Sequence, residues 1–191
     1  MKAALVVLLF GVVSAFAEEP FAIAAAEAAC GPIDVQFDVH PAESQPLTQP
    51  QPGKSLVYVI ELFDRPGNQI SRPTLRVGLD GKWAGAVKGD SYLAFSVDPG
   101  EHHLCTNWQS RLKELSSKAA FSSLNAEPGK IYYFRAHIIE GGGLSFSLDF
   151  AAVDPDEGKY LVASVAPSDS HAKAANHKPR PAQDQSPAKG N

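Results

Sequence analysis

Between residues 74 and 105 apolar and polar positions alternate with little interruption. Leu75, Val77 and Leu79 are separated by polar or small residues, and Asp80-Gly81 follows. Trp83 and Val87 lie on the return, which ends at Lys88-Gly89-Asp90. Leu93, Phe95 and Val97 alternate again, and Asp98-Pro99-Gly100 leads into His102, Leu104 and Cys105. Period-two hydrophobicity punctuated by Asp-Gly and Pro-Gly turns predicts paired antiparallel hairpins.

The same pattern recurs on both sides. Ile33, Val35, Phe37 and Val39 alternate with polar residues and predict a strand with one wet face. Leu56-Val57-Tyr58-Val59-Ile60 is continuously apolar, which suits a central strand covered on both faces. Residues 131–139 (IYYFRAHII), then Gly141-Gly142-Gly143, then Leu144, Phe146, Leu148 and Phe150 predict a further hairpin. Trp108, Leu112 and Leu115 fit either a helical turn or a loop laid on a sheet edge. Asp154-Pro155 is a helix start, favouring a short helix through Tyr160 over a last strand. Residues 18–29 are Ala-rich, either a short helix or frayed coil.

Strands every 8 to 12 residues joined by tight turns predict an all-β fold, an antiparallel Ig-like β-sandwich of seven or eight strands. At most one short helix is expected, near the C-terminus. The division expected is a leader over 1–17, an arm with one strand and a Pro-rich connector over 18–53, the sandwich over 54–165, and a tail over 166–191. That tail is rich in Ser, Pro, Ala and Lys and nearly devoid of large apolar groups, so it is expected to be disordered.

Composition adds an address. Lys2, an apolar run over 3–13 and Ala15-Phe16-Ala17 have the form of a cleaved secretory signal peptide. The apolar run is shorter than a spanning helix requires, and Glu18-Glu19-Pro20 ends it. Of the 17 Lys and Arg only Lys2 lies in the leader, so its removal takes the net charge from −4 to −5. A mildly acidic chain argues against nucleic acid and against an electrostatic grip on anionic lipid. No transmembrane segment is expected after cleavage, and the protein is expected to be periplasmic or secreted. In an exported chain, Cys30 and Cys105 are read as a disulfide rather than two free thiols.

Residues 52–61 (PGKSLVYVIE), the central VGLDGKWAGAVKGDSYLAFSVDPGEHHLC and residues 128–135 (PGKIYYFR) together resemble an uncharacterised family of bacterial envelope domains. The Asp-Gly hairpin followed by Pro-Gly-x-His is similar to PEGA-type repeats. The resemblance covers roughly residues 52–162 and implies an exported β-sandwich without an established activity, catalytic residue or ligand. It also implies a structural role for His102, its imidazole bonding turn carbonyls.

The candidate chemistry is sparse. His102 and His103 are adjacent on a strand and point to opposite faces, so they cannot chelate one ion together; His137 lies on another strand. Ser110 to Lys113 spells S-x-x-K, but the partner motifs of serine acyl-transferases are missing. Asp80, Asp90, Asp98 and Glu101 sit at turns, where Asp is a normal turn residue. Trp83, in register with Val87, is expected to point into the core. Trp108 is read equally as core or as an exposed platform, and both tryptophans are candidate contacts for a ligand or partner.

No catalytic, cofactor or metal residue is assigned. The expectation is a non-enzymatic binding or structural module whose partner is an envelope protein or surface component. The alternatives are a carbohydrate-binding accessory module and, behind it, a small hydrolase.

Overall fold

The run Leu56–Ile60 becomes the centre of a sheet, because its two faces meet two different layers. Val57 and Val59 face a second sheet, whereas Leu56, Tyr58 and Ile60 face a helix. In the computed structural model, which describes residues 18–42, 48–62, 72–140 and 145–173, nine further strands and three helices are arranged around this strand. The expected leader, the glycine turn at 141–143, most of the loop after β2 and the chain beyond 173 lie outside the described residues.

In chain order the elements are α1 (Glu18–Cys30), β1 (Phe37–Pro41), β2 (Ser55–Glu61), β3 (Thr74–Leu79), β4 (Lys82–Lys88), β5 (Ser91–Val97) and β6 (Gly100–Gln109). They continue with α2 (Lys113–Ser116), β7 (Ala119–Ala126), β8 (Ile131–Glu140), β9 (Phe146–Val153), α3 (Pro155–Ser164) and β10 (Ala166–Ala172). A six-stranded sheet runs β1-β10-β5-β2-β8-β9, and a four-stranded sheet runs β4-β3-β6-β7. Between them lies the main core: Val57, Val59, Leu75, Val77, Val87, Leu104, Phe134 and Phe150, among others.

A smaller core covers the far face of the larger sheet. Tyr58 stacks on Tyr133 at 5.2 Å between ring centroids and tilts against Tyr92 at 5.5 Å, while Leu161 of α3 closes the cluster. The helix starts as the sequence indicates. Pro155 opens it, and Asp154 Oδ1 accepts hydrogen bonds from the backbone N–H groups of Asp156 and Glu157. Gly158 lets it lie against Tyr133, since a Cβ there would sit 2.2 Å from the ring.

The two-sheet β-rich body is as expected, but several details differ. The larger sheet is mixed, because β2 pairs with β8 in parallel and β10 pairs with β5 in parallel. Alternation marks which residues share a face and carries no information on the direction of a partner brought in from elsewhere. The strands number ten, not seven or eight, and the helices three among the described residues. The first strand begins at Phe37, after a turn at Ile33-Asp34.

Only one of the paired hairpins forms locally. β3 and β4 pair around Asp80-Gly81, both with positive φ (50° and 77°), as a tight hairpin turn requires. The second turn, Lys88-Gly89-Asp90, instead carries the chain to the other sheet, where β5 pairs with β2. The expected disorder from residue 166 is corrected up to Ala172, because β10 lies between β1 and β5. Ordering comes from the ladder and from hydroxyls, not from apolar burial: Ser168 Oγ donates to Ser91 Oγ at 2.7 Å, and Ser170 Oγ accepts from Ala86 N at 3.0 Å.

Candidate functional site

The chemistry-bearing side chains gather in three places: the outer face of the four-stranded sheet, the end of the β3–β4 hairpin, and the corner between β4 and β5.

On the outer face, α1 and the residues after it lie across β3, β4 and β6. Cys30 and Cys105 are joined by a disulfide with Cα atoms 5.7 Å apart, as the sequence suggests. Gly78 makes the close approach feasible, since a Cβ would stand 2.7 Å from both Cys105 Sγ and Cys30 O. Beside the disulfide Arg76 is 1% exposed, and its guanidinium binds backbone. Nη1 donates to the carbonyls of Ile33 and, at 2.8 Å, of Val35, while Nη2 donates to Asn107 Oδ1. Asn107 Nδ2 then donates to the carbonyls of Ser116 and Lys118. Burial lowers the Arg76 pKa to about 10, against the opposing pull of Asp34 and Glu27.

Trp83 belongs to this face. The guanidinium carbon of Arg76 lies 5.0 Å from its ring centroid, and its indole Nε1 donates to Pro32 O at 2.9 Å. The inward orientation expected from Val87 is therefore corrected. Val77 pairs with Gly85 but Gly78 pairs with Trp83, so Ala84 is an extra residue and the bulge turns Trp83 outward. Gln109 completes the grip by mimicking a strand. Its Oε1 accepts from Phe37 N at 2.7 Å, and its Nε2 donates to Phe37 O at 3.0 Å.

At the hairpin end His102 has the structural role that the resemblance implies. Its Nδ1 lies 2.7 Å from Asp80 Oδ2 and its Nε2 lies 2.7 Å from the Asp98 carbonyl. Asp80 Oδ1 also accepts from His103 N. Burial alone would lower the His102 pKa, but the bonds to Asp80 and Asp98 outweigh it and raise it. For Asp80, burial pushes the pKa up, and the donors from His103 and His102 bring it below the usual carboxylate value. One turn carboxylate, Asp80, and one turn carbonyl, Asp98 O, thus meet at one imidazole. His137 stands on β8, in the other sheet. Among the described residues no group of three or more His, Cys, Asp or Glu is placed to hold a metal ion.

The third place escaped sequence reading. Glu61 ends β2 on the face shared by Val57 and Val59, is 1% exposed, and points into the inter-sheet core. Its Oε2 accepts from Gly89 N at 2.9 Å, and its Oε1 has no hydrogen-bond partner among the described residues. Burial pushes its pKa up to about 8, the Gly89 N–H holding it back and Asp90 adding to it. Outside this corner is a groove of about 270 Å³ lined by Arg72, Lys88, Asp90, Ser91, Pro167 and Ser168, among others. The usable signal was the period itself, since Glu61 continues the inward positions 57 and 59.

The remaining candidates are plainly placed. Trp108 is half-buried against the main core, edge-on to Phe146 at 5.6 Å. Ser110 Oγ accepts from Leu112 N in a local turn. No helix among the described residues is long and apolar enough to cross a membrane. Comparison with protein-family models, with curated proteins and with solved structures finds no match to this chain.

Proposed function

We propose that the chain is a non-enzymatic, exported module that binds a protein or surface component of the bacterial envelope. The observation that carries this reading is the Cys30–Cys105 disulfide, which covalently fastens the N-terminal arm to the sheet. Such bonds persist in oxidising compartments. The leader-like first 17 residues and the resemblance to envelope domains support the same address. The polar side chains most suited to chemistry serve the scaffold instead: Arg76 holds arm carbonyls, His102 clamps two turns, and Glu61 is sealed in the core.

The test adds purified oxidised protein to isolated envelope fragments and follows both co-sedimentation and release of soluble fragments. Saturable co-sedimentation with no catalytic release supports the proposal. Catalytic release of envelope fragments, or co-sedimentation that rises linearly without saturation, contradicts it.

A further inference from the structure

Apart from the Cys30 side chain, the grip of β3, β4 and β6 on the arm falls on its backbone. Trp83, Arg76 and Gln109 contact Pro32 O, Ile33 O, Val35 O, Phe37 N and Phe37 O, all of them backbone atoms. These three residues lie on β4, β3 and β6. Together they form a cleft that holds the backbone of the arm through its turn at Ile33-Asp34 and into β1. The Asp80-Gly81 turn adds one more such contact, from Gly81 N to Ala29 O at 3.0 Å. One covalent bond, Cys30–Cys105, closes the arrangement. Downstream, β1 pairs with β10 and the arm then joins β2 through residues 42–54. Fully extended, that connector reaches roughly 40 Å, enough to pass to a neighbouring molecule.

We propose that this cleft is an interaction surface for the arm of a second copy of the chain, and that Cys30–Cys105 is the latch that keeps each copy's own arm seated. An exchanged arm makes every contact that the resident arm makes, including the β1–β10 ladder, so the two arrangements differ in tethering rather than in contacts. Opening the latch takes a dithiol reductant: its two thiols give two electrons and two protons to the Cys30–Cys105 bond, and it leaves as a disulfide. Re-closing is the reverse reaction with the oxidised partner of the same couple, either within one chain or between Cys30 of one chain and Cys105 of another. A tethered arm competes at an effective concentration of about a millimolar. Interchain closure therefore becomes comparable with intrachain closure only near that protein concentration, and is about a hundredfold rarer at ~10 µM.

The test uses the full chain in two isotopic forms, light and ¹⁵N-labelled, mixed in equal amounts. They are reduced with dithiothreitol without denaturant and re-oxidised at protein concentrations from about 10 µM to about 1 mM. Digestion without reductant and mass spectrometry then count the light–heavy linked pairs. The expected result is a mixed Cys30–Cys105 pair whose share grows in proportion to concentration, accompanied by a dimer in size-exclusion chromatography. A mixed share that stays flat over this range overturns the proposal. So do Cys30–Cys30 and Cys105–Cys105 pairs as abundant as Cys30–Cys105, because random thiol pairing needs no cleft.

Discussion

Replacing Glu61 by glutamine removes a titrating group from the main core while keeping its shape and its acceptor for Gly89 N. In the native chain burial raises this carboxyl from 4.5 to about 8. Between those pH values the folded state keeps a proton that the unfolded state has released. Stability is therefore fully present below 4.5, falls as pH rises, and levels off above the folded value. One pKa unit corresponds to about 1.4 kcal/mol, so the loss is on the order of 5 kcal/mol across the window. Glu61→Gln is expected to abolish that fall, making the variant the more stable form above pH 8. Near pH 5 the two proteins should lie within roughly 1–2 kcal/mol, because an amide and a protonated carboxyl both leave one buried polar group unpaired. Urea titrations at several pH values, followed by tryptophan fluorescence with the disulfide intact, give the comparison. The stability that His102 contributes is also lost as pH rises through part of this range, but this happens in both proteins and drops out of their difference. Parallel stability–pH curves for the two proteins would refute the reasoning.

Arg76→Met leaves the Ile33 and Val35 carbonyls and Asn107 Oδ1 without their donor, and a loss of roughly 3 kcal/mol is expected. Limited proteolysis should then cut first between residues 31 and 36, whereas the native arm resists. His102→Gln should destabilise most in acid. The raised imidazole pKa gives stability that is fully present below 6.5 and is lost as pH rises through the folded value, so the gap from native should narrow by pH 9, as read by thermal unfolding. Gly158→Ala places a methyl 2.2 Å from the Tyr133 ring, and a loss of about 1–3 kcal/mol with altered near-ultraviolet tyrosine signals is expected.

What was legible in the sequence follows from what is local. Leu56–Ile60 could be read as a central strand because both faces of the run are apolar, and β3–β4 because Asp80-Gly81 suits a two-residue turn. The disulfide was legible because two cysteines behind a leader-like segment leave one pairing. The β4–β5 corner was not, since a turn between two alternating runs looks the same whether the strands pair or part to different sheets. Ala84 shows a subtler limit, because one extra residue reverses Trp83 and nothing in the composition marks it. β10 is not legible because its polar sequence buries little of its own, and its order comes from two neighbouring strands that satisfy its backbone. Arg76 and Glu61 looked like ordinary strand charges. Their burial depends on the arm and on the β4–β5 corner, both placed by contacts distant in sequence.

The address and the fastened arm are tested together by the intact mass of protein taken from the cell envelope and alkylated without reductant. The expected product is a chain that begins at Glu18 and carries no alkyl group. A chain that still begins at Met1 and carries two alkylated cysteines would contradict it.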